Sequence, residues 1–408
     1  MDDLSSAASN SSGSGGKSPE VHLESPAAPI PATTPERRIR IGGHIPKLDS
    51  LRGAAILLVL TYHAYGGSVD YRTWHGLSRF LVYLSRYGYT GVELFFVLSG
   101  FLITNILLAG KHKPNYYLEF YRRRALRILP AYLAVLLVIK LGIGVTWKYI
   151  VACLLYIANM AGLVGARSSE YAPLWSLAVE EQFYLLWPFC VRRIEARSLL
   201  KLALGVCFAM PLLRLLAAAV SASIDIRYKT YFIADYLLYG AILAIALNLN
   251  IIHKRNIAAV AIGLLGTGSI LTLGVVYLKY FSNHTWWIVL LLRAWGVLPF
   301  VWIYSGLILR AVQSYNYKND SSSNSVLAFF GYISYGLYLI HEFLFREYGR
   351  LASGTPLAGL QGNLSMVTLR YLIVGGISVF LAYLSRRFYE DYFLRRGRTR
   401  YGMPSNAP

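Results

Sequence analysis

From Leu48 onward the chain alternates apolar runs with short polar links. The runs near 51–67, 91–110, 126–145, 149–164, 174–191, 199–220, 231–249, 256–278, 286–309, 326–346 and 367–389 are long enough for helices at membrane depth. Residues 1–46 break the pattern. They are rich in Ser, Pro, Ala and Gly, cannot bury a core, and are predicted to be a disordered tail. No cleavable signal peptide is expected, because the polar start runs past forty residues. No internal repeat stands out. The pattern therefore predicts an all-α polytopic membrane bundle with a single domain over 47–393. It is flanked by the 1–46 tail and a basic tail at 394–408.

Composition agrees. The 408 residues are 56% hydrophobic and only 15% charged, too oily for a soluble domain of this length. Cys153, Cys190 and Cys207 all fall in apolar runs, without metal or disulfide spacing. The net charge is +20. Residues 1–46 hold five acids and four bases, so the membrane body carries +21. Because these cations flank apolar runs, they read as topology signals rather than a nucleic-acid surface, and no nucleic-acid partner is expected.

The same cations decide the number of crossings. The link 111–127 is rich in Lys and Arg, which places it and the N-terminus in the cytoplasm. If 149–164 crossed fully, "RRIEARSLLK", "HKR" and "RRGRTR" would lie outside. If it is re-entrant or peripheral, the loop cations after residue 191 split fourteen inside to six outside. The positive-inside rule selects the second arrangement: about ten crossings plus one re-entrant or peripheral segment. Both termini are then cytoplasmic, in a multi-pass protein of the plasma or inner membrane.

Polar groups inside the oily runs are the candidate chemistry. In "RGAAILLVLTYH", Arg52 and His63 stand eleven residues apart. That is about three turns and about 16 Å of one helix face. Arg52 would sit at the cytoplasmic surface and His63 just past mid-membrane, a spacing that suits one long thin ligand, anionic at one end. An intramembrane histidine marks a functional site by default; the plain alternative is a neutral imidazole bonded to the next helix. For Arg52 the plain alternative is an interfacial cation with its stem in the apolar layer.

Glu93, Ser99 and Gly100 lie in "GVELFFVLSGFLIT", where Gly100 allows a close approach of ligand or backbone, or simple helix packing. Glu180 and Glu181 lie about two turns inside their run, and being adjacent they point in different directions. Asp235, Tyr338 and His341 complete the set, with Ser334, Tyr338 and His341 on one face. Arg214 and Arg293 read as charge partners for the acids. Arg124 and Arg127 are i, i+3 neighbours at a helix N-terminus; they are a stop signal on charge alone and a phosphate clamp on geometry. No His, Asp or Glu cluster has metal-ligand spacing, so no metal is expected.

Six stretches together resemble the membrane-bound acyltransferase-3 family. They are "LDSLRGAAILLVLTYH", "GVELFFVLSGFLIT", "FYRRRALRILPAYL", "LWSLAVEEQFYLLWP", "ADYLLYGAILA" and "SYGLYLIH", in the family's order. The resemblance covers about residues 47–392. It implies an enzyme that takes acyl-CoA, usually acetyl-CoA, as a co-substrate from the cytoplasm, with no permanently bound cofactor. The acceptor would be a hydroxyl of a glycan, glycolipid or small molecule at or across the bilayer. The family's R-x10-H motif falls on Arg52 and His63, its Arg-x-x-Arg on Arg124 and Arg127, and its Ser-Gly on Ser99 and Gly100. The resemblance thus implies that the arginines, with Ser99 and Gly100, bind the donor.

His63 would be the general base, with a covalent acyl-histidine open on the same residues. A carboxylate, here assigned to Glu180, would orient or charge-balance the imidazole. The appended extracytoplasmic esterase-like domain of some members is not expected, which leaves acceptor handling to the membrane domain or a partner. A transporter or flippase for an anionic lipid-linked glycan is the alternative from another class. Inverted repeats would favour it, and none is found. A family member that has lost its chemistry is disfavoured by intact Arg52 and His63.

Overall fold

The structure, a computed structural model, describes residues 39, 44–66, 72, 74–221, 226, 228–281, 285–318, 324–353, 355 and 364–401. The expected tail at 1–46 lies almost wholly outside these. Helix α1 is Pro46–Thr61, with proline at its first turn. A π turn, Tyr62–Gly66, extends it. Next come α2 (Gly76–Ser85), a 3₁₀ turn (Arg86–Thr90), α3 (Gly91–Gly110) and α4 (Tyr116–Gly142). Then α5 (Trp147–Leu154), a 3₁₀ segment (Ala158–Val164), α6 (Leu174–Arg193), α7 (Ala196–Val220) and α8 (Thr230–Asn248) follow. The chain continues with α9 (Ile257–Phe281), α10 (Trp286–Trp295), α11 (Leu298–Lys318), α12 (Ser325–Ala352) and α13 (Leu364–Leu384). A second π turn, Ser385–Glu390, leads into α14 (Asp391–Tyr401).

Among the described residues there is no strand, and eight helical stretches are long and apolar enough to cross a membrane. Helix α1 with its single π turn and α6 with its paired glutamates fall outside those eight, yet both pack against α3. Segment 149–164 is not a crossing helix. The eight residues of α5 rise only about 12 Å, against a hydrocarbon core of about 30 Å. The run 286–309 is one apolar stretch but two helices, broken at Gly296 and Val297. The tail expected from 394 is helical as far as Tyr401, continuous with the preceding span through the π turn. Helix α2 lies in the link between the first two apolar runs, where apolar and polar residues are mixed.

Two close crossings set the architecture. A Cβ on Gly100 would lie 1.8 Å from the Leu237 carbonyl, and one on Gly240 would lie 1.9 Å from that of Val97, so α3 and α8 touch backbone to backbone. Likewise a Cβ on Gly53 would meet the Leu327 carbonyl at 1.9 Å, and one on Gly331 that of Asp49 at 2.0 Å. That contact joins α1 to α12 running in the same direction. From it each helix continues ten residues, about 15 Å, to a histidine, His63 on one and His341 on the other. Helix α8 is the centre of the bundle, with 72% of its apolar window buried, whereas α9 at 11% faces outward. Exposed Leu204, Phe208 and Leu216 on α7 and Ile270 and Leu273 on α9 form an apolar surface suited to lipid.

Candidate active site

A cavity of about 110 Å³ opens between α1, α3, α4, α6 and α12. Its polar lining is Arg52, Ser99, Arg124, Arg127, Ser176, Glu180, Tyr184, Ser334, Tyr335 and Tyr338. A larger cavity of about 260 Å³ adjoins it, sharing Arg52 and Leu102 and lined also by Lys113, Tyr116, Phe120 and Arg123. Arg52 thus stands at the junction. Its Nη1 is paired with Asp49 Oδ1 at 2.5 Å, and the other oxygen of Asp49 contacts His44.

The arginines of α4 have weaker partners. Arg124 lies over the rings of Tyr184 at 5.3 Å and Phe120 at 6.0 Å. Among the described residues no carboxylate forms an ion pair with Arg124 or Arg127. Arg52, Arg124 and Arg386 all add positive potential at Arg127. Buried like charges repel strongly at low dielectric, so an anion among Arg52, Arg124 and Arg127 would relieve that repulsion.

Glu181 and Glu180 both balance Arg124, and of the two Glu180 lines the cavity. Ser99 Oγ donates to its Oε1 at 2.9 Å and Tyr184 OH to its Oε2 at 3.2 Å, which fixes it facing the arginines. The assignment of Glu180 to the imidazole of His63 is therefore corrected. The carboxylate at that ring is Glu342, whose Oε2 lies 3.4 Å from His63 Nε2. The physical reason is helix facing: α6 turns Glu180 toward α3 and α4, while α12 delivers Glu342 beside the π turn of α1. Gly100 packs against the Leu237 backbone and is not among the residues that line the cavity. Ser99, one residue earlier, lines the cavity.

His63 sits on the π turn, a distortion common at functional sites. Its Nδ1 lies 3.2 Å from the Val59 carbonyl and 3.2 Å from His341 Nε2. His341 is fully buried, and its Nδ1 lies 3.1 Å from the Leu337 carbonyl. Glu342 accepts from Arg346 Nε at 2.9 Å, and Arg346 in turn donates to the carbonyls of Glu170 and Ser169. Tyr338 joins the two regions. It lines the arginine cavity, bonds to Ser176 Oγ at 2.5 Å, and its ring centre lies 5.8 Å from that of His341.

Three expected candidates lie elsewhere. Asp235 forms a bidentate pair with Arg214 at 2.9 and 3.0 Å, within α7 and α8. Glu93 is buried near Lys279 and Tyr304, away from the cavity lining. Glu181 lies beside Glu180, and its buried Oε1 has no hydrogen bond. Sequence reasoning missed Glu342 and Arg346. The signal available was the "HE" dipeptide with an arginine four residues on, an i, i+4 ion pair. It also found no metal-ligand cluster, yet the fold brings ligand atoms of His63, His341 and Glu342 within 4.8 Å of one another.

The acyltransferase domain family matches residues 45–387. This chain belongs to the acyltransferase-3 family. The peptidoglycan O-acetyltransferase OatA of Listeria monocytogenes is 28% identical over 389 residues, covering 88% of this chain and 57% of that protein. The O-acetyltransferase OatA of Staphylococcus aureus is 29% identical over 265 residues, covering 56% of this chain and 40% of its own length. The chain thus spans about half the length of these relatives. No solved structure matches. Within the family match lie every residue of the arginine cavity and both histidines.

Proposed function

We propose that this protein is a membrane O-acyltransferase. It moves an acyl group, acetyl by the analogy with its relatives, from acyl-CoA on the cytoplasmic side to a hydroxyl of a cell-surface glycan. The observation that carries this reading is the pairing of an arginine-lined cavity with a histidine pair through Tyr338. Arg52, Arg124 and Arg127 hold the anionic phosphates of the donor, and Arg52 lies where the two cavities join. Both termini and the link after α3 face the cytoplasm in this reading, by the positive-inside rule.

The chemistry follows from tautomers. His341 Nδ1 faces a carbonyl, so it carries the hydrogen and Nε2 is the acceptor. His63 Nδ1–H then donates to that nitrogen and to Val59, which leaves the lone pair on His63 Nε2. That nitrogen takes the proton of the acceptor hydroxyl while the oxygen attacks the thioester carbonyl carbon. The carbon–sulfur bond breaks, and the departing thiolate recovers the proton from the imidazolium. In between, the imidazolium faces Glu342, which Arg346 holds in place.

The acceptor class is proposed from the names of the relatives, peptidoglycan being one such glycan. The transporter reading is set aside because the family match is to an acyltransferase domain. Mass analysis of surface glycans from cells with and without this protein tests the reading. An acetyl-sized increment that disappears with the protein is expected; identical glycans in both would refute it.

A further inference from the structure

The trio His63, His341 and Glu342 has the makings of a metal site. One ligand atom from each lies within 4.8 Å of the others. His63 Nδ1 and His341 Nε2 are 3.2 Å apart, close to the edge, roughly 3.3 Å, of a tetrahedron whose centre is about 2.0 Å from each corner, as at zinc–nitrogen bonds. The surroundings match as well. Metal-bound histidines pass their other N–H to a carbonyl or carboxylate, and ligating carboxylates are themselves hydrogen-bonded. His341 Nδ1 meets the Leu337 carbonyl, and Arg346 holds Glu342 Oε1, which leaves Glu342 Oε2 for the ion. His341 is buried, and the side chains of His63 and Glu342 keep 23% and 14% of their surface.

We propose that these three residues form a site for a zinc-type divalent ion, and that its occupancy switches acyl transfer off. Two imidazoles and one carboxylate suit zinc, whereas calcium and magnesium require shells of oxygen. A neutral imidazole has one lone pair. An ion that takes it from His63 leaves nothing to accept the hydroxyl proton. Only this consequence rests on the proposed transfer reaction; binding itself does not.

The test is calorimetric titration of the full chain in detergent, stripped by a chelator, with zinc chloride. One ion per chain is expected. His341→Ala and Glu342→Gln should each weaken binding by more than about a hundredfold, the upper cost of losing even an outer partner. His253→Ala, on the link between α8 and α9, should leave binding unchanged. Cobalt in place of zinc should give the visible absorption of a four-coordinate site in the native protein. No stoichiometric binding by the native chain overturns the site whatever the variants do. Unchanged binding in a protein carrying both His341→Ala and Glu342→Gln overturns this choice of ligands. Zinc that binds without slowing native acyl transfer overturns the switch. Zinc binding in a protein that transfers nothing upholds the site and counts against the proposed reaction instead.

Discussion

Arg124 and Arg127 sit on one face of α4, and among the described residues neither forms an ion pair with a carboxylate, so an arriving phosphate gains two charge-assisted contacts. Replacing either by alanine should weaken acyl-CoA binding by about ten- to a hundredfold, equivalent to about 1.5–3 kcal/mol. Calorimetry on purified protein measures it, and added salt should erode the native affinity. Gly100 makes the opposite kind of contribution. Its neighbour is backbone, 1.8 Å from where a Cβ would stand, and backbone cannot rotate away as a side chain could. Gly100→Ala should therefore lower the Tm of the solubilised protein, at a cost of about 1–3 kcal/mol for overpacking. Unchanged Tm would mean that α3 and α8 are not in close contact.

At the scale of elements, Arg214 binds three helices together. It pairs with Asp235, donates to the Phe232 carbonyl on α8 and reaches the Ala294 carbonyl on α10. Asp235→Asn should cost about 3–5 kcal/mol, because it leaves a buried guanidinium without its charge, and a double apolar replacement should recover much of that. Thermal unfolding of the two variants measures the difference.

The elements also show what a sequence can reveal. Long apolar runs locate α3, α4, α7, α8, α9, α12 and α13, since oil at helical length has few other uses in a chain. Register features were not legible: the π turns at Tyr62 and Ser385 and the break at Gly296 change hydrogen bonding without changing hydropathy. The arginines of the cavity were legible because their spacing and their place at a helix start are local. The partner of His63 was not. His341 is 278 residues away in sequence, and the depth of Glu180 in the bilayer says nothing about which neighbouring helix it faces.

For the whole molecule, α5 decides which way the second half is threaded. Because α5 is too short to cross, the link between α6 and α7 lies on the cytoplasmic side in our reading. Single cysteines placed at 194–197 should resist a membrane-impermeant thiol reagent applied from outside intact cells and react after permeabilisation; labelling without permeabilisation would reverse the threading. In the same reading the arginine cavity lies nearer the cytoplasmic side and the histidine pair deeper in the membrane.

The central claim is that His63 moves a proton rather than merely filling a gap in the bundle, and one comparison tests it. His63→Gln keeps a hydrogen-bonding side chain but cannot take up a proton near neutral pH. The purified variant should bind acyl-CoA like the native protein, through its arginines. In a radiolabelled transfer assay its turnover should fall by roughly 10²–10⁴-fold, the usual contribution of a general base. A His63→Gln protein that binds acyl-CoA and keeps more than about a tenth of native turnover, less than the smallest loss expected of a base, would contradict the account.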